Sequence, residues 1–233
     1  MATIANNLQL VRNRIQAACA QTGRPADSVT LLAVSKTFPA VTVRDAFHAG
    51  QRCFGENYVQ EALDKIAELA DLREQITWHL IGPLQSNKTR EVAERFDWVQ
   101  SLDREKIARR LSDQRPGDMV PLNVCLQVNI DGEDSKSGCL PDELPALVRA
   151  VLDLPRLRLR GLMCIPRPGN TDALAALAKT RQDLLASIPG LDAATFDTLS
   201  MGMSEDLEAA VVAGSTMVRV GTAIFGARPA GVP

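Results

Sequence analysis

The sequence predicts an α/β fold in which eight parallel strands close into a single (β/α)8 barrel of the TIM type. Short apolar runs alternate with amphipathic helical segments, eight runs can be counted, and 233 residues lie within the usual size range for such a barrel. Strict alternation of strand and helix is typical of a parallel sheet with right-handed crossovers. A doubly wound open sheet is the alternative, but the G-x-G-x-x-G turn of its dinucleotide-binding form is absent after the first strand.

A helix precedes the first strand. Leu8, Val11, Ile15 and Ala18 recur at helical spacing, and Gly23 ends the pattern, so we assign residues 1–23 to an extra N-terminal helical segment. The predicted strands cover residues 29–35, 52–55, 77–82, 98–102, 122–130, 158–164, 195–200 and 217–221. The predicted helices between them cover residues 41–49, 58–72, 89–96, 104–111, 141–152, 171–188 and 204–213.

No linker rich in proline, glycine or serine divides the chain, so we expect one domain over residues 1–233, with residues 227–233 as a short tail. A net charge of −2 and 4% aromatic residues argue against a nucleic-acid binder. Five scattered cysteines and two histidines show no zinc-site spacing, so we expect reduced thiols and no metal. The sequence lacks a signal peptide and an 18-residue apolar run, so we expect a cytoplasmic protein that makes no membrane contact.

Lys36 directly follows the first predicted strand, whose residues 29–34 (VTLLAV) are nearly free of polarity. The C-terminal ends of buried parallel strands are where α/β folds place their chemistry. An amine held there is partly desolvated, which lowers its pKa and favours imine formation with an aldehyde. For an isolated lysine the commoner alternative is that it leaves the strand and its ammonium group is hydrated.

Two turns near the end of the chain have the features of a phosphate site. Residues 200–204 (SMGMS) form a glycine-containing turn before a helix, and Gly221 and Thr222 follow the eighth strand. Backbone N–H groups at a helix start favour anions, and the loops after strands 7 and 8 are the usual phosphate position in barrels. The alternative for Ser204 is an ordinary helix N-cap.

Arg219 lies inside an apolar strand, where its permanent charge needs acceptors. It either pairs with a buried carboxylate or donates to a ligand in the barrel mouth. Glu56 and Asp131 are carboxylates at the same predicted rim, where solvated loop acids are common. We expect His48 on a helix, either at the surface or between helices, and His79 as a hydrogen-bonded core residue.

Seven segments, in order from about residue 30 to residue 226, resemble the pyridoxal 5′-phosphate homeostasis protein family. They are residues 33–37 (AVSKT), 54–58 (FGENY), 78–85 (WHLIGPLQ), 135–138 (SKSG), 162–163 (LM), 199–204 (LSMGMS) and 219–222 (RVGT). The FGENY, HLIGPLQ and SMGMS segments together are highly specific. The resemblance implies a barrel similar to the N-terminal domain of alanine racemase.

The resemblance also implies pyridoxal 5′-phosphate (PLP) as the cofactor, held as an internal aldimine on Lys36. Arg219 would face its pyridine nitrogen, and Asn57 would lie near its ring. The phosphate would be bound by Ser200, the backbone near Met201, Gly221 and Thr222. Relatives often carry a second lysine at the position of Phe38, which leaves Lys136 as the nearby candidate amine for moving the cofactor.

An arginine can only donate to an unprotonated pyridine nitrogen, so carbanions are stabilised weakly. Racemases with this arrangement use a tyrosine from an added β-domain, but the only tyrosine here, Tyr58, lies opposite strand 8 in the predicted strand order. We therefore expect a monomeric PLP carrier that buffers the cofactor or delivers it to PLP-dependent apo-enzymes, with little or no amino-acid turnover. The alternatives are a PLP-dependent amino-acid racemase-like enzyme and a barrel that binds another phosphorylated metabolite.

Overall fold

The computed structural model describes residues 3–133 and 137–227. Its parallel strands form a closed barrel in chain order, because the last strand pairs with the first. The strands are β1 (Thr30–Val34), β2 (Cys53–Glu56), β3 (Thr77–Leu80), β4 (Trp98–Leu102), β5 (Leu122–Gln127), β6 (Leu157–Met163), β7 (Thr198–Ser200) and β8 (Met217–Val220). The predicted barrel is confirmed, and the open sheet is excluded.

Helices cover the outside of the barrel before β1, between successive strands and after β8. They are α1 (Ile4–Gln21), α2 (Ala40–His48), α3 (Val59–Glu68), α4 (Thr89–Arg95), α5 (Glu105–Gln114), α6 (Leu144–Leu152), α7 (Asp172–Ser187), α8 (Leu207–Val212) and α9 (Thr222–Phe225). Two short 3-10 helices, Ala70–Leu72 and Ser86–Lys88, precede β3 and α4. Within the described ranges, no helix combines the length and the apolar character that crossing a bilayer would require.

The predicted N-terminal helix is confirmed as α1. Its start is capped by Thr3, whose side chain accepts a hydrogen bond from the backbone N–H of Asn6. The apolar face, which includes Leu8 and Val11, is buried, and Arg14 on the polar side binds Glu208 of α8 at 2.6 Å. The helix therefore packs over the side of the barrel formed by the last elements of the chain.

Several predicted elements have different bounds in the structure, and the following cases have a clear physical cause. The helix expected over residues 58–72 stops at Leu69, whose backbone leaves helical geometry before a separate 3-10 turn. The strand expected to reach residue 130 ends at Gln127, because the chain folds back and Cys139 donates its backbone N–H to the Gln127 carbonyl. The helix expected from residue 204 begins at Leu207, and residues 204–206 form a turn instead.

The main apolar core lies between the barrel and its helices. The barrel interior contains polar side chains as well: Gln100 of β4 contacts His79 of the neighbouring β3 and, across the barrel, Met217 of β8. Strand register fixes what surrounds the end of β1. Ala33 lies opposite Phe54 of β2 on one side and Val220 of β8 on the other. The loops after β2 and β8 therefore flank the loop that carries Lys36.

Candidate functional site

A cavity of about 430 Å³ opens at the C-terminal ends of the strands; we call it the barrel-mouth cavity. Five of the seven predicted site residues line it: Lys36, Asn57, Arg219, Gly221 and Thr222. Ser200 and Met201 do not line it, and both are fully buried. Most of the predicted site residues therefore lie around one cavity, although they come from loops that are far apart in the chain.

Lys36 is half-buried at the cavity wall, two residues beyond the end of β1. A tight turn holds its loop, because the backbone N–H of Phe38 donates to the Ser35 carbonyl at 3.1 Å. Thr37 adopts a φ of +68°, a conformation that β-branched residues rarely take. Phe38 packs on Phe225 of α9, with 5.2 Å between the ring centroids. The Lys36 amine is therefore presented by a turn that is constrained on both sides.

Glu56, predicted as a rim carboxylate, is fully buried beneath this turn. Its Oε1 accepts from the Ser35 hydroxyl at 2.6 Å and from the amine of Lys65 at 2.8 Å. Burial raises the pKa of Glu56, and the neighbouring Lys65 opposes that rise. Lys65 was not among the predicted site residues.

Asn57 brings an unused acceptor to the cavity. Its side-chain Oδ1 is buried, and no hydrogen-bond partner for it occurs among the residues that the structure describes. A buried amide oxygen without a partner costs free energy, so a ligand that donates to it would be favoured. The backbone of Asn57 packs directly on Gly82, where a Cβ atom would lie 2.1 Å from the Asn57 carbonyl oxygen.

Arg219 is 4% exposed, and its guanidinium is bound by neutral groups. One terminal nitrogen donates to the Ser200 hydroxyl at 2.7 Å and the other to the Cys164 carbonyl at 2.8 Å. Burial lowers the pKa of Arg219 from its usual value. Of the two alternatives for Arg219, an ion pair with a buried carboxylate is not what the hydrogen bonds show, and the residue lines the cavity.

Ser200 belongs to a buried hydrogen-bond chain inside the barrel. Its hydroxyl donates to Oε1 of Gln100 at 2.5 Å while it accepts from Arg219. The backbone N–H of Met201 donates to the Met217 carbonyl within the sheet. The Ser200 hydroxyl and the Met201 N–H therefore have partners within the fold, and their predicted part in phosphate binding stays a prediction.

The two predicted phosphate turns differ in their geometry. Gly221 precedes α9 and Thr222 opens it, and the first N–H groups of a helix have no partner within the helix. In the other turn, Ser204 lines the cavity but is not an N-cap, because α8 begins after Asp206. Asp206 accepts the backbone N–H of Met203 at 2.6 Å, which fixes this turn against the cavity.

The loop after β6 covers another side of the cavity and is tied to the loop after β5. Asp131 accepts the backbone N–H of Arg167 at 2.7 Å and the side-chain amide of Asn170 at 2.6 Å. Arg167 also forms an ion pair with Glu133. Asp131 thus joins two loops at the rim. Lys136, the candidate second amine, lies outside the described residues.

The predicted placement of Tyr58 opposite β8 is wrong. Because the barrel closes β8 on β1, only β1 separates β8 from β2, which Tyr58 follows. The side chain is 49% exposed and does not line the cavity. The two histidines lie as predicted, with His48 exposed on α2 and His79 buried in the barrel.

Residues 2–229 match the family model described as alanine racemase, N-terminal domain. The chain is 60% identical to the pyridoxal phosphate homeostasis protein of Pseudomonas aeruginosa, with 100% of this chain and 99% of that protein covered. It belongs to the pyridoxal phosphate homeostasis protein family. The family member of Escherichia coli strain K12 is 54% identical, with 98% of each chain covered.

Solved structures agree with this family assignment. PipY of Synechococcus elongatus PCC7942, solved with PLP bound, is 39% identical with a TM-score of 0.81, and the match covers 96% of this chain and all (100%) of PipY. Alanine racemase from Corynebacterium glutamicum is 17% identical with a TM-score of 0.71, and the match covers 99% of this chain but 62% of the racemase. The likeness to the racemase shows the fold alone, and the predicted resemblance to the homeostasis family is confirmed.

Proposed function

We propose that this chain binds PLP in the barrel-mouth cavity and serves intracellular PLP homeostasis, by buffering the cofactor or delivering it to PLP-dependent apo-enzymes. The observation that carries the proposal is the meeting of Lys36, Asn57, Arg219 and the start of α9 around one cavity. The groups fit this cofactor, because they offer an amine for its aldehyde, an unused acceptor on Asn57 and N–H donors for its phosphate.

In this proposal Lys36 holds PLP covalently, as a Schiff base. The amine nitrogen forms a C=N bond with the aldehyde carbon, and the aldehyde oxygen leaves as water. Gly221 and Thr222 bind the phosphate, and Arg219 donates to the pyridine nitrogen. Ser200 contributes by holding the guanidinium of Arg219 in place, 2.7 Å away. When bound, PLP supplies an electron-withdrawing ring and an aldehyde that condenses with amines.

The proposal is tested by a visible absorption spectrum of the protein after loading with PLP and removal of the excess. We expect the absorption band of a Schiff base, and borohydride should fix a phosphopyridoxyl group on the peptide that contains Lys36. Lys36→Arg keeps the charge but cannot form the imine, so its reducible adduct should vanish. Lys88→Arg, at a half-exposed pair with Glu91, is the matched control and should keep it.

A colourless wild-type protein, or an adduct fixed on another lysine, would refute the covalent proposal. Undiminished PLP affinity in Lys36→Arg would favour the alternative, a barrel that binds phosphorylated metabolites by charge alone.

We also propose that amino-acid turnover is very slow. Arg219 donates permanently, so it keeps the ring a weak electron sink. The described cavity lining includes no tyrosine, histidine or cysteine that would act as a second base beside Lys36. Its carboxylates are Glu205 and Asp206, and Asp206 is held by the backbone N–H of Met203. Proton NMR of L-alanine in deuterated water should therefore show no Cα exchange beyond that caused by free PLP. Exchange that disappears in Lys36→Ala would instead support the racemase-like alternative.

We further propose that the chain acts as a monomer in the cytoplasm. A carrier has to share a compartment with the apo-enzymes that it supplies.

A further inference from the structure

Lys65 of α3 is buried beneath the turn that carries Lys36. It is 4% exposed, and it shares the inner face of α3 with the apolar residues Ala62 and Ile66. Its amine lies 2.8 Å from the Ser35 carbonyl, 2.8 Å from Oε1 of Glu56 and 2.5 Å from Oε1 of Glu61. An ammonium group has three N–H donors, so each has one acceptor here.

These acceptors reach both sides of Lys36. The Ser35 carbonyl belongs to the residue before it, and the Ser35 hydroxyl binds the same Glu56 oxygen at 2.6 Å. On the other side, Oε1 of Glu61 accepts the backbone N–H of Thr37 at 2.6 Å. Lys65 is thus the centre of a hydrogen-bond cluster that grips residues 35–37 at each end. We call this set of Ser35, Thr37, Glu56, Glu61 and Lys65 the Lys65 cluster.

The backbone at Thr37 explains why such a grip matters. Its φ of +68° lies in the left-handed region, where a β-branched side chain is unfavourable. Strain of this kind persists only where surrounding contacts impose it. The Thr37 N–H is held by Glu61, and Glu61 is in turn held by Lys65. Without the cluster, the turn would relax toward a commoner conformation and would carry Lys36 with it.

Stability alone does not account for a charged group at this position. Desolvating an ammonium and a carboxylate costs free energy that their mutual attraction only offsets, and well-packed apolar residues often serve a fold equally well. The Lys65–Glu56 pair is almost completely desolvated, with side chains 5% and 0% exposed. Its hydrogen bonds run to the backbone beside Lys36.

We propose that Lys65 is a positioning residue: through the Lys65 cluster it holds residues 35–37 so that the Lys36 amine points into the barrel-mouth cavity. This inference rests on the proposed function, in which Lys36 binds PLP. Lys65 itself does not line the cavity.

The test compares Lys65→Met with wild-type protein in PLP affinity, measured by titrating the Schiff-base absorption, and in borohydride labelling of Lys36. Methionine keeps the length of the side chain and removes the three donors. Both proteins are compared at a temperature where far-UV circular dichroism shows them folded. Loss of hydrogen bonds to a charged group should weaken PLP binding about tenfold or more.

Arg73→Met is the matched control, because Arg73 forms a half-buried pair with Asp97 at the opposite end of the barrel, before β3 and β4. It should lower the unfolding temperature and leave PLP affinity within about twofold of wild type. A folded Lys65→Met protein that binds PLP within about twofold of wild type would overturn the proposal.

A rescue experiment separates positioning from general destabilisation. Thr37→Gly in the Lys65→Met background removes the penalty on a positive φ, so the turn no longer needs the grip. PLP affinity should return to within about threefold of wild type, whereas a protein that needs Lys65 only for folding would not recover affinity. No recovery would therefore overturn the positioning role.

If Lys65→Met does not fold, Glu61→Ala replaces it, since that side chain is 27% exposed and can be removed without opening the core. It breaks the bond to Thr37 and should weaken PLP binding about fivefold, and unchanged affinity would overturn the proposal. Wild-type protein that forms no adduct at all would instead refute the proposed function, which keeps the two failures distinct.

Discussion

Gly82→Ala is expected to destabilise the barrel by about 4 kcal/mol or more and to displace Asn57 from the cavity. A Cβ at position 82 would lie 2.1 Å from the Asn57 carbonyl oxygen and 2.7 Å from two further backbone atoms of Asn57. Backbone atoms cannot move aside as a flexible side chain does. Gly82 cannot retreat either, because its own carbonyl accepts the Ser101 hydroxyl at 2.6 Å on the β4 side.

The measurement is the free energy of unfolding from urea titration, with PLP affinity as a second readout. Gly117→Ala is the control: Gly117 is exposed, and a Cβ there would meet only an Arg156 side-chain nitrogen at 4.0 Å. Its unfolding free energy should stay within about 1 kcal/mol of wild type. If Gly82→Ala behaved like this control, the loops after β2 and β3 could move apart at little cost, and their contact would not hold Asn57 in position.

The barrel was predictable because the pattern that indicates each strand lies within a short stretch of the sequence. Most strands contain a short run of buried apolar residues, and β1 is the clearest case, with Leu32 and Ala33 fully buried. The ends of elements were less predictable, because tertiary contacts set them. The strand β5 stops where Cys139 returns to pair with Gln127, and no pattern within residues 122–130 indicates that return.

The site residues also divide into those that the sequence could place and those that only tertiary contacts determine. Lys36, Arg219 and Gly221 could be placed because each stands at or near the C-terminal end of its strand, where side chains of a barrel converge. The partners of Ser200 could not, since Gln100 lies 100 residues away and meets it only across the barrel. The resemblance assigned Ser200 to the phosphate, and that assignment stays a prediction; the hydroxyl contacts Gln100 and Arg219.

Lys65 was not predicted as a functional residue, although the sequence contains a signal for it. Glu61 and Lys65 are four residues apart, the spacing of an ordinary exposed ion pair on a helix. Ala62 and Ile66, however, place Lys65 within the apolar stripe at i, i+3 and i+4. A lysine inside that stripe is a signal for a buried amine that requires specific acceptors.

The second large effect concerns the pH dependence of stability, and it arises from His79. Its ring is 1% exposed, stacks on Trp98 with 5.0 Å between centroids, and lies with Nδ1 2.9 Å from the Gln100 side-chain amide nitrogen. Burial lowers the pKa of His79 from 6.5 to about 3. Between these two values the unfolded chain binds a proton that the folded protein excludes.

The sign follows from that difference. Above pH 6.5 the ring is neutral in both states, so this contribution to stability is complete. As the pH falls below 6.5, the unfolded state gains a proton, and the free energy of unfolding falls by about 1.4 kcal/mol per pH unit. By the folded-state pKa near 3, the accumulated loss is about 5 kcal/mol.

His79→Gln should remove this slope, whereas His48→Gln, at the exposed second histidine on α2, should retain it. The difference in unfolding free energy between wild type and His79→Gln isolates the ring from other groups. That subtraction is needed because burial also raises the pKa of Glu56, which makes stability fall as the pH rises above 4.5 and so opposes the effect of His79.

Urea titrations from pH 8 to pH 4 provide the measurement. The difference between wild type and His79→Gln should stay constant above pH 6.5 and shrink by about 1.4 kcal/mol for each unit below it. Parallel curves at all pH values would mean that His79 binds its proton equally well in both states. The buried Nε2 of His79, for which the described residues provide no partner, would then have to be solvated inside the barrel.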